Sequence, residues 1–298
     1  MKLENRTMTL AAQLFRETPE LRAAAQRTPL FDQLTTRGRR LSLHGRDYYL
    51  LEGDLLYDED ELQLYVLQEA PGAGGAPMGA TATQPLPSSP ALVGISDGQR
   101  LVRWAPGQIL SYAVLRTSFP DEQQYALARD SVQAAAQAWE GVCGVEFEHR
   151  EALDAHEDPS DSPHEIDPDL VFTVRHIDAG GQFIASAFFP TYPPARRRVL
   201  IDPSFFAADL GFDPVGVLRH ELGHVLGFRH EHIRSGAPAA CPGEDAFDAV
   251  NLTAYDPQSV MHYFCGGVGS RDLKITELDR QGAQTLYGPP VRQLTFVV

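Results

Sequence analysis

The spacing of apolar positions changes several times along the chain, and each change marks an element. Residues 10–26, LAAQLFRETPELRAAAQ, carry helical spacing broken at Pro19, which predicts one or two short helices. Residues 46–68, RDYYLLEGDLLYDEDELQLYVLQ, predict a strand, a turn at Gly53 and an acidic helix beginning near Asp58. The pattern then stops. Residues 71–90, PGAGGAPMGATATQPLPSSP, are almost uncharged and rich in Gly, Pro and Ala. Such a segment has too little apolar surface to fold and reads as a linker. The chain therefore divides into an N-terminal segment (1–70), a linker (71–99) and a larger domain (100–290).

The larger domain begins with QILSYAVL, whose aromatic and β-branched content predicts a strand. Ser118 and Asp121 flank Pro120 in the manner of a capping box. The helix after them sets Tyr125, Ala128, Val132, Ala135 and Trp139 on one face, a core stripe. VEFEH, LVFTV, FIASAFFP and RRVLID predict four further strands. Strands interleaved with helices suggest an α/β or α+β domain. No internal repeat is visible.

Charge narrows the partners. The formal net charge is -15, which disfavours nucleic acid and anionic membranes. No stretch reaches the ~18 apolar residues of a membrane helix. The N-terminus lacks the continuous apolar core of a secretory signal. Secretion therefore stays open, through a removed signal or another route, as does an intracellular location. Cys143, Cys241 and Cys265 are an odd set. A bond between Cys241 and Cys265 is expected, with Cys143 a small buried hydrophobe.

The densest chemistry lies in VGVLRHELGHVLGFRHEH, Val215 to His232. It follows Asp213 and Pro214, which together form a helix start. His220 and His224 stand one turn apart on one helix face and can share a zinc ion. Glu221 is placed to reach a water at that metal without being a ligand. Gly227 can take left-handed angles, end the helix and return His230 to the metal. Three protein ligands leave one position open, which marks a catalytic zinc site rather than a structural one. A short HExxH match alone occurs by chance; the added Gly and His sit where the geometry needs them.

HELGHVLGFRHEH resembles the metzincin consensus HExxHxxGxxH, and Glu231 resembles the astacin version of it. YDPQSVMHY, Tyr255 to Tyr263, is similar to the astacin Met-turn. RLVRWAPGQILSYAV resembles the opening of an astacin catalytic domain. FIASAFFP with RRVLID is similar to the cleft edge of matrixins. Thr276 to Gly288 resembles the closing helix of metzincins. The likeness spans about residues 100–288. The cysteine pattern and the short segment after His232 depart from animal astacins and suggest a bacterial astacin-like or matrixin-like branch.

That resemblance implies an α+β metzincin fold, with a mixed, mostly parallel twisted sheet, an active-site helix and a small N-terminal pro-segment. It implies a zinc endopeptidase with Glu221 as general base and Tyr263 stabilising the oxyanion. Met261 would form a floor under the metal. An extended peptide would pair with the edge strand at Ala185, Ser186, Ala187 and Phe188. LEGD, Leu51 to Asp54, resembles the propeptide FxGD motif with Leu for Phe, so Asp54 is a candidate latency switch beside the alternative of a surface turn. Glu231 would pair with a new amino terminus, or else be an exposed helix-end charge. The expected substrate is protein or peptide and the expected state a monomer. A zinc-binding protein without peptidase activity and a metal-dependent amidase are the competing readings.

Overall fold

The computed structural model describes residues 15, 18–43, 46–51, 53–69, 92–97, 100–156, 167–192, 194–234, 236–241 and 249–291. Two compact units are present, Met1–Ser88 with Ser160–His164, and Ser89–Pro159 with Glu165–Val298.

In the N-terminal unit, helices α1 (Pro19–Ala25) and α2 (Pro29–Arg37) both begin on proline, whose fixed φ suits the first turn. Strands β1 (Arg39–Leu43), β2 (Arg46–Leu51) and β3 (Leu55–Tyr57) form an antiparallel sheet in that order. Gly53, at φ +85°, makes the turn before β3. Helix α3 (Glu59–Glu69) starts on a reciprocal cap. Asp58 Oδ1 accepts the Glu61 amide at 2.9 Å, and Glu61 Oε2 accepts the Asp58 amide at 2.8 Å.

The larger unit opens earlier than composition suggests. β4 (Val93–Asp97) is a strand, although it falls inside the segment read as linker. The Gly- and Pro-rich run ends at Pro90, and Leu92, Val93 and Ile95 then supply buried apolar side chains. Apart from Leu92, the remainder of 71–99 lies outside the described residues, and β5 (Arg100–Leu101) follows it and pairs with β4.

The main sheet is built from β6 (Ile109–Val114), β7 (Glu146–His149), β8 (Phe172–His176), β9 (Ala185–Ser186) and β10 (Arg198–Ile201). Its order is β7-β6-β8-β10-β9. The β6–β7, β6–β8 and β8–β10 pairs are parallel, and β9 is an antiparallel edge. The fold is thus α+β with a mixed, mostly parallel sheet. β6 is buried at five consecutive positions, as a covered parallel strand requires.

Helix α4 (Glu122–Glu140) packs the expected stripe, and Tyr125, Ala128, Val132, Ala135 and Trp139 are all buried. Its cap differs from expectation. Asp121 alone caps it, accepting the Gln124 amide at 2.8 Å. Ser118 instead donates to the Leu115 carbonyl and accepts the His176 amide, because Arg116–Ser118 forms a separate 3-10 turn. Helices α5 (Pro214–Val225) and α6 (Glu277–Tyr287) complete the helical layer. β4 also pairs with β11 (Phe228–Arg229) and β12 (Ala249–Asn251). Among the described residues no helix is long and apolar enough to cross a membrane.

Candidate metal centre

The site is assembled from the start and the stop of one helix. Asp213 caps α5 by accepting the Gly216 amide at 3.1 Å, with Pro214 in the first turn. Val217, Leu218, Leu222 and Val225 bury one face in the core. Trp139 of α4 donates its indole N–H to the Arg219 carbonyl at 2.8 Å and fixes the two helices together. Gly223 lets the Met-turn approach. A Cβ there would lie 2.3 Å from Met261 Sδ. After Val225 the chain turns at Gly227, whose φ is +92°, and its amide bonds to the His224 carbonyl at 2.8 Å. β11 then runs antiparallel to β4 and delivers His230 back toward α5.

The three imidazoles converge. His220, His224 and His230 are buried, and each offers a ring nitrogen within 4.8 Å of the others'. The Nε2 atom of His230 lies 3.1 Å from Nε2 of His220 and 3.1 Å from Nε2 of His224. Nδ1 of His220 faces the Val260 carbonyl at 2.8 Å, and Nδ1 of His224 faces the Phe228 carbonyl at 2.7 Å. A carbonyl only accepts, so both Nδ1 atoms carry the proton and both Nε2 atoms present lone pairs. One proton on His230 can serve only one of them. A cation at the centre resolves the repulsion. Zinc–nitrogen bonds of about 2.0–2.1 Å in a tetrahedron put the nitrogens about 3.3 Å apart. The donor set and its carbonyl-oriented tautomers fit zinc.

The other expected residues fall around this centre to different degrees. Glu221 is buried on α5, one position beyond His220. Tyr263 sets its ring 4.3 Å from that of His230 and 5.9 Å from that of His220. Met261 is fully buried against Gly223 of α5, and its carbonyl accepts the Glu231 amide at 2.9 Å. Ala185 and Ser186 form β9 at the sheet edge. Ala187 and Phe188 lie beyond the strand, and Phe188 is a core residue packed on Phe172. Phe189 is the member of this segment that touches the centre, edge-on to His224 at 5.5 Å. Asp54 lies in the β2–β3 turn of the N-terminal unit, after Gly53.

Several supporting residues escaped the sequence reading. Asp279 is fully buried and accepts from Ser259 Oγ at 2.5 Å, the Val260 amide at 2.8 Å and the Thr276 amide at 2.9 Å. Burial raises its pKa, against the pull of those donors. It ties α6 to the residue whose carbonyl orients His220. The Thr-x-x-Asp spacing at Thr276 was the signal that could have found it. Glu231 is not an exposed helix-end charge. It is fully buried, accepting from Arg234 Nη1 at 2.7 Å and the Asp256 amide at 2.9 Å. Burial outweighs those partners and pushes its carboxyl up to about 7. Cys241 and Cys265 form a disulfide, and Cys143 is free and buried.

No family model matches the chain. Among curated proteins, rat stromelysin-3 is 27% identical over 77% of this chain and 42% of its own length. Human matrix metalloproteinase-16 is 23% identical over 54% of this chain and 24% of its own. The zinc metalloproteinase nas-3 of Caenorhabditis elegans is 26% identical over 54% of this chain and 56% of its own. Matrixins and an astacin-like enzyme are thus matched by one chain that also closes a trihistidine site over a Met-turn. The chain is similar to metzincins. The chain spans about a quarter to just over half of the length of those relatives. Among solved structures, myroilysin covers 64% of this chain and 97% of its own at 16% identity, with a TM-score of 0.42. The hatching enzyme of Oryzias latipes covers 61% and 90% at 18% identity, with a TM-score of 0.37.

Proposed function

We propose that this chain is a metzincin zinc endopeptidase, its metal held by His220, His224 and His230, acting on protein or peptide substrates. The observation that carries it is the convergence of three imidazoles, with Nε2 of His230 3.1 Å from Nε2 of His220 and of His224, and Nδ1 of those two fixed on backbone carbonyls. Zinc, when bound, supplies a Lewis acid and makes water a nucleophile near neutral pH. Glu221, buried one position beyond His220, would take the proton from a water attacking the scissile carbonyl. The same carboxyl then gives the proton to the leaving amine. Tyr263 donates its O–H to the developing oxyanion. The substrate backbone lies extended along β9 and pairs with that edge by main-chain hydrogen bonds.

The LEGD motif supports a second layer, in which residues 1–70 are a pro-segment and Asp54 blocks the metal until the linker is cut. The Cys241–Cys265 bond supports an oxidising compartment outside the cytosol. A buried general base favours hydrolysis over mere zinc storage.

The test is digestion of casein by zinc-loaded protein, before and after trimming in 71–99, with and without a chelator. Cleavage that the chelator stops and zinc restores is expected. The Glu221→Ala variant is expected to keep its zinc and lose at least about a hundredfold in rate, the low end of general-base catalysis. Retained proteolysis by zinc-loaded Glu221→Ala would remove Glu221 from the mechanism. Full activity of the untrimmed chain would remove Asp54 from it.

A further inference from the structure

Two residues past the third metal-binding histidine stands a fourth buried imidazole to which neither the motif nor the mechanism gives a task. His232 sits in the short 3-10 turn Glu231–Ile233 and is buried. Its ring stacks on the ring of Tyr263, with centroids 4.5 Å apart and planes 25° from parallel. The Tyr263 ring also meets His230, at 4.3 Å and 50°. His230 and His232 themselves stack at 5.0 Å and 26°. Positions i and i+2 in this extended-then-turned stretch place both rings on one side, and the phenol contacts both.

The backbone beneath the phenol is fixed as well. The Tyr263 carbonyl accepts from Nδ1 of His262 at 2.6 Å, and Nε2 of His262 meets the Tyr255 hydroxyl at 2.8 Å. Gly269 passes so close that a Cβ on it would lie 2.6 Å from the Tyr263 carbonyl oxygen. With the main chain held, the remaining freedom of the tyrosine is the rotation of its side chain about two bonds. Stacking of aromatic faces restricts that rotation, and an offset pair at this spacing is attractive in its own right. A flat ring of the right size is the property that matters, since the contact is through the ring face.

We infer that His232 is a positioning residue for Tyr263, holding the phenol where its O–H can reach the developing oxyanion. This rests on the oxyanion role proposed for Tyr263, and it concerns how that role is supported. His232 touches neither substrate nor metal in the proposal and acts through its neighbour. A small side chain at 232 lets the phenol wander between rotamers. The fraction of time it spends in reach then falls, and kcat falls with it, while KM is left near its starting value because substrate is held elsewhere. An aromatic side chain at 232 restores the stack.

The experiment compares His232→Ala, His232→Phe, Tyr263→Phe and the His232→Ala/Tyr263→Phe double variant in the full zinc-loaded chain, each activated by the same linker cut. Zinc content is measured for all four. His232→Ala is expected to lower kcat about three- to tenfold, the range that loss of one aromatic pair implies. His232→Phe is expected to recover most of that loss, and the double variant to be no slower than Tyr263→Phe. A second readout needs no activity. The ring resonances of Tyr263 in metal-free, tyrosine-labelled protein, identified by their absence in Tyr263→Phe, should carry a ring-current shift. His232→Ala should reduce that shift to the part that His230 and His220 contribute, and His232→Phe should restore it. The inference is overturned if the shift is unchanged in His232→Ala, or if the His232→Ala loss persists undiminished on top of Tyr263→Phe. If Tyr263→Phe itself leaves kcat unchanged, the oxyanion role falls instead, and the ring shift still decides whether His232 holds the phenol.

Discussion

Cys143 shows how far one side chain can be read from its surroundings. It is fully buried behind Trp139 and Val145, and burial pushes its thiol up to about 12. The unfolded thiol ionises near pH 8.5. Between those values the unfolded state loses its proton first, so this group lowers stability as pH rises. It also leaves no thiolate for chemistry in the folded protein. The native chain is expected to show no thiol reactive toward a disulfide reagent at pH 8, and one after denaturation without reductant. A reactive native thiol would mean that Cys143 is exposed or that Cys241 and Cys265 are not joined. The sequence separated these cysteines because Cys143 is flanked by core residues, whereas the other two bracket the segment that closes the site. The role of Glu231 was not legible in that way. Besides the nearby Arg234 it is enclosed by Asp256, 25 residues on, which nothing in its own neighbourhood of sequence shows.

At the scale of elements, the decisive unit is α5 with its stop at Gly227. The stop was legible because glycine is the one residue that takes φ +92° without strain. Gly227→Ala is expected to cost about 1–2 kcal/mol in the metal-free protein, the penalty of a left-handed Cβ, by urea denaturation. The Cβ would also lie 3.1 Å from the Val102 carbonyl oxygen. Zinc affinity should fall with it, as β11 shifts and takes His230 along. A variant of unchanged stability and zinc affinity would show that the turn does not set the third ligand. Elsewhere local pattern misled. Ser118 and Asp121 have capping-box character, yet Ser118 is drawn into a 3-10 turn and a bond to His176 far along the chain. β4 hid next to a glycine- and proline-rich run, and its partners β11 and β12 are distant in sequence. Both errors come from long-range pairing that no window of sequence contains.

At the scale of the molecule, a covalent tie and a polar tie help to hold the segments that carry the site. The polar tie is Asp279, which links α6 to the Met-turn. The covalent tie joins Cys241 to Cys265, 24 residues apart and two beyond Tyr263. Closing a loop of that length restricts the unfolded chain by about 3 kcal/mol. Cys241→Ser/Cys265→Ser is therefore expected to lower the melting temperature by several degrees while retaining zinc, because no ligand lies within the loop's cross-link. Loss of zinc in that variant would instead place the disulfide among the supports of the metal. The return of His230 after Gly227 was expected from the spacing, and the mostly parallel sheet from the metzincin resemblance. The aromatic packing around Tyr263 was not, since it is made by two turns meeting in space.

The most direct measurement is a crystal structure of the zinc-loaded protein with anomalous data collected on both sides of the zinc edge. The account predicts one strong peak, about 2.0–2.1 Å from Nε2 of each of His220, His224 and His230, with the Glu221 carboxyl outside bonding distance. A peak ligated without His230, or Glu221 bound directly to the metal, would contradict it.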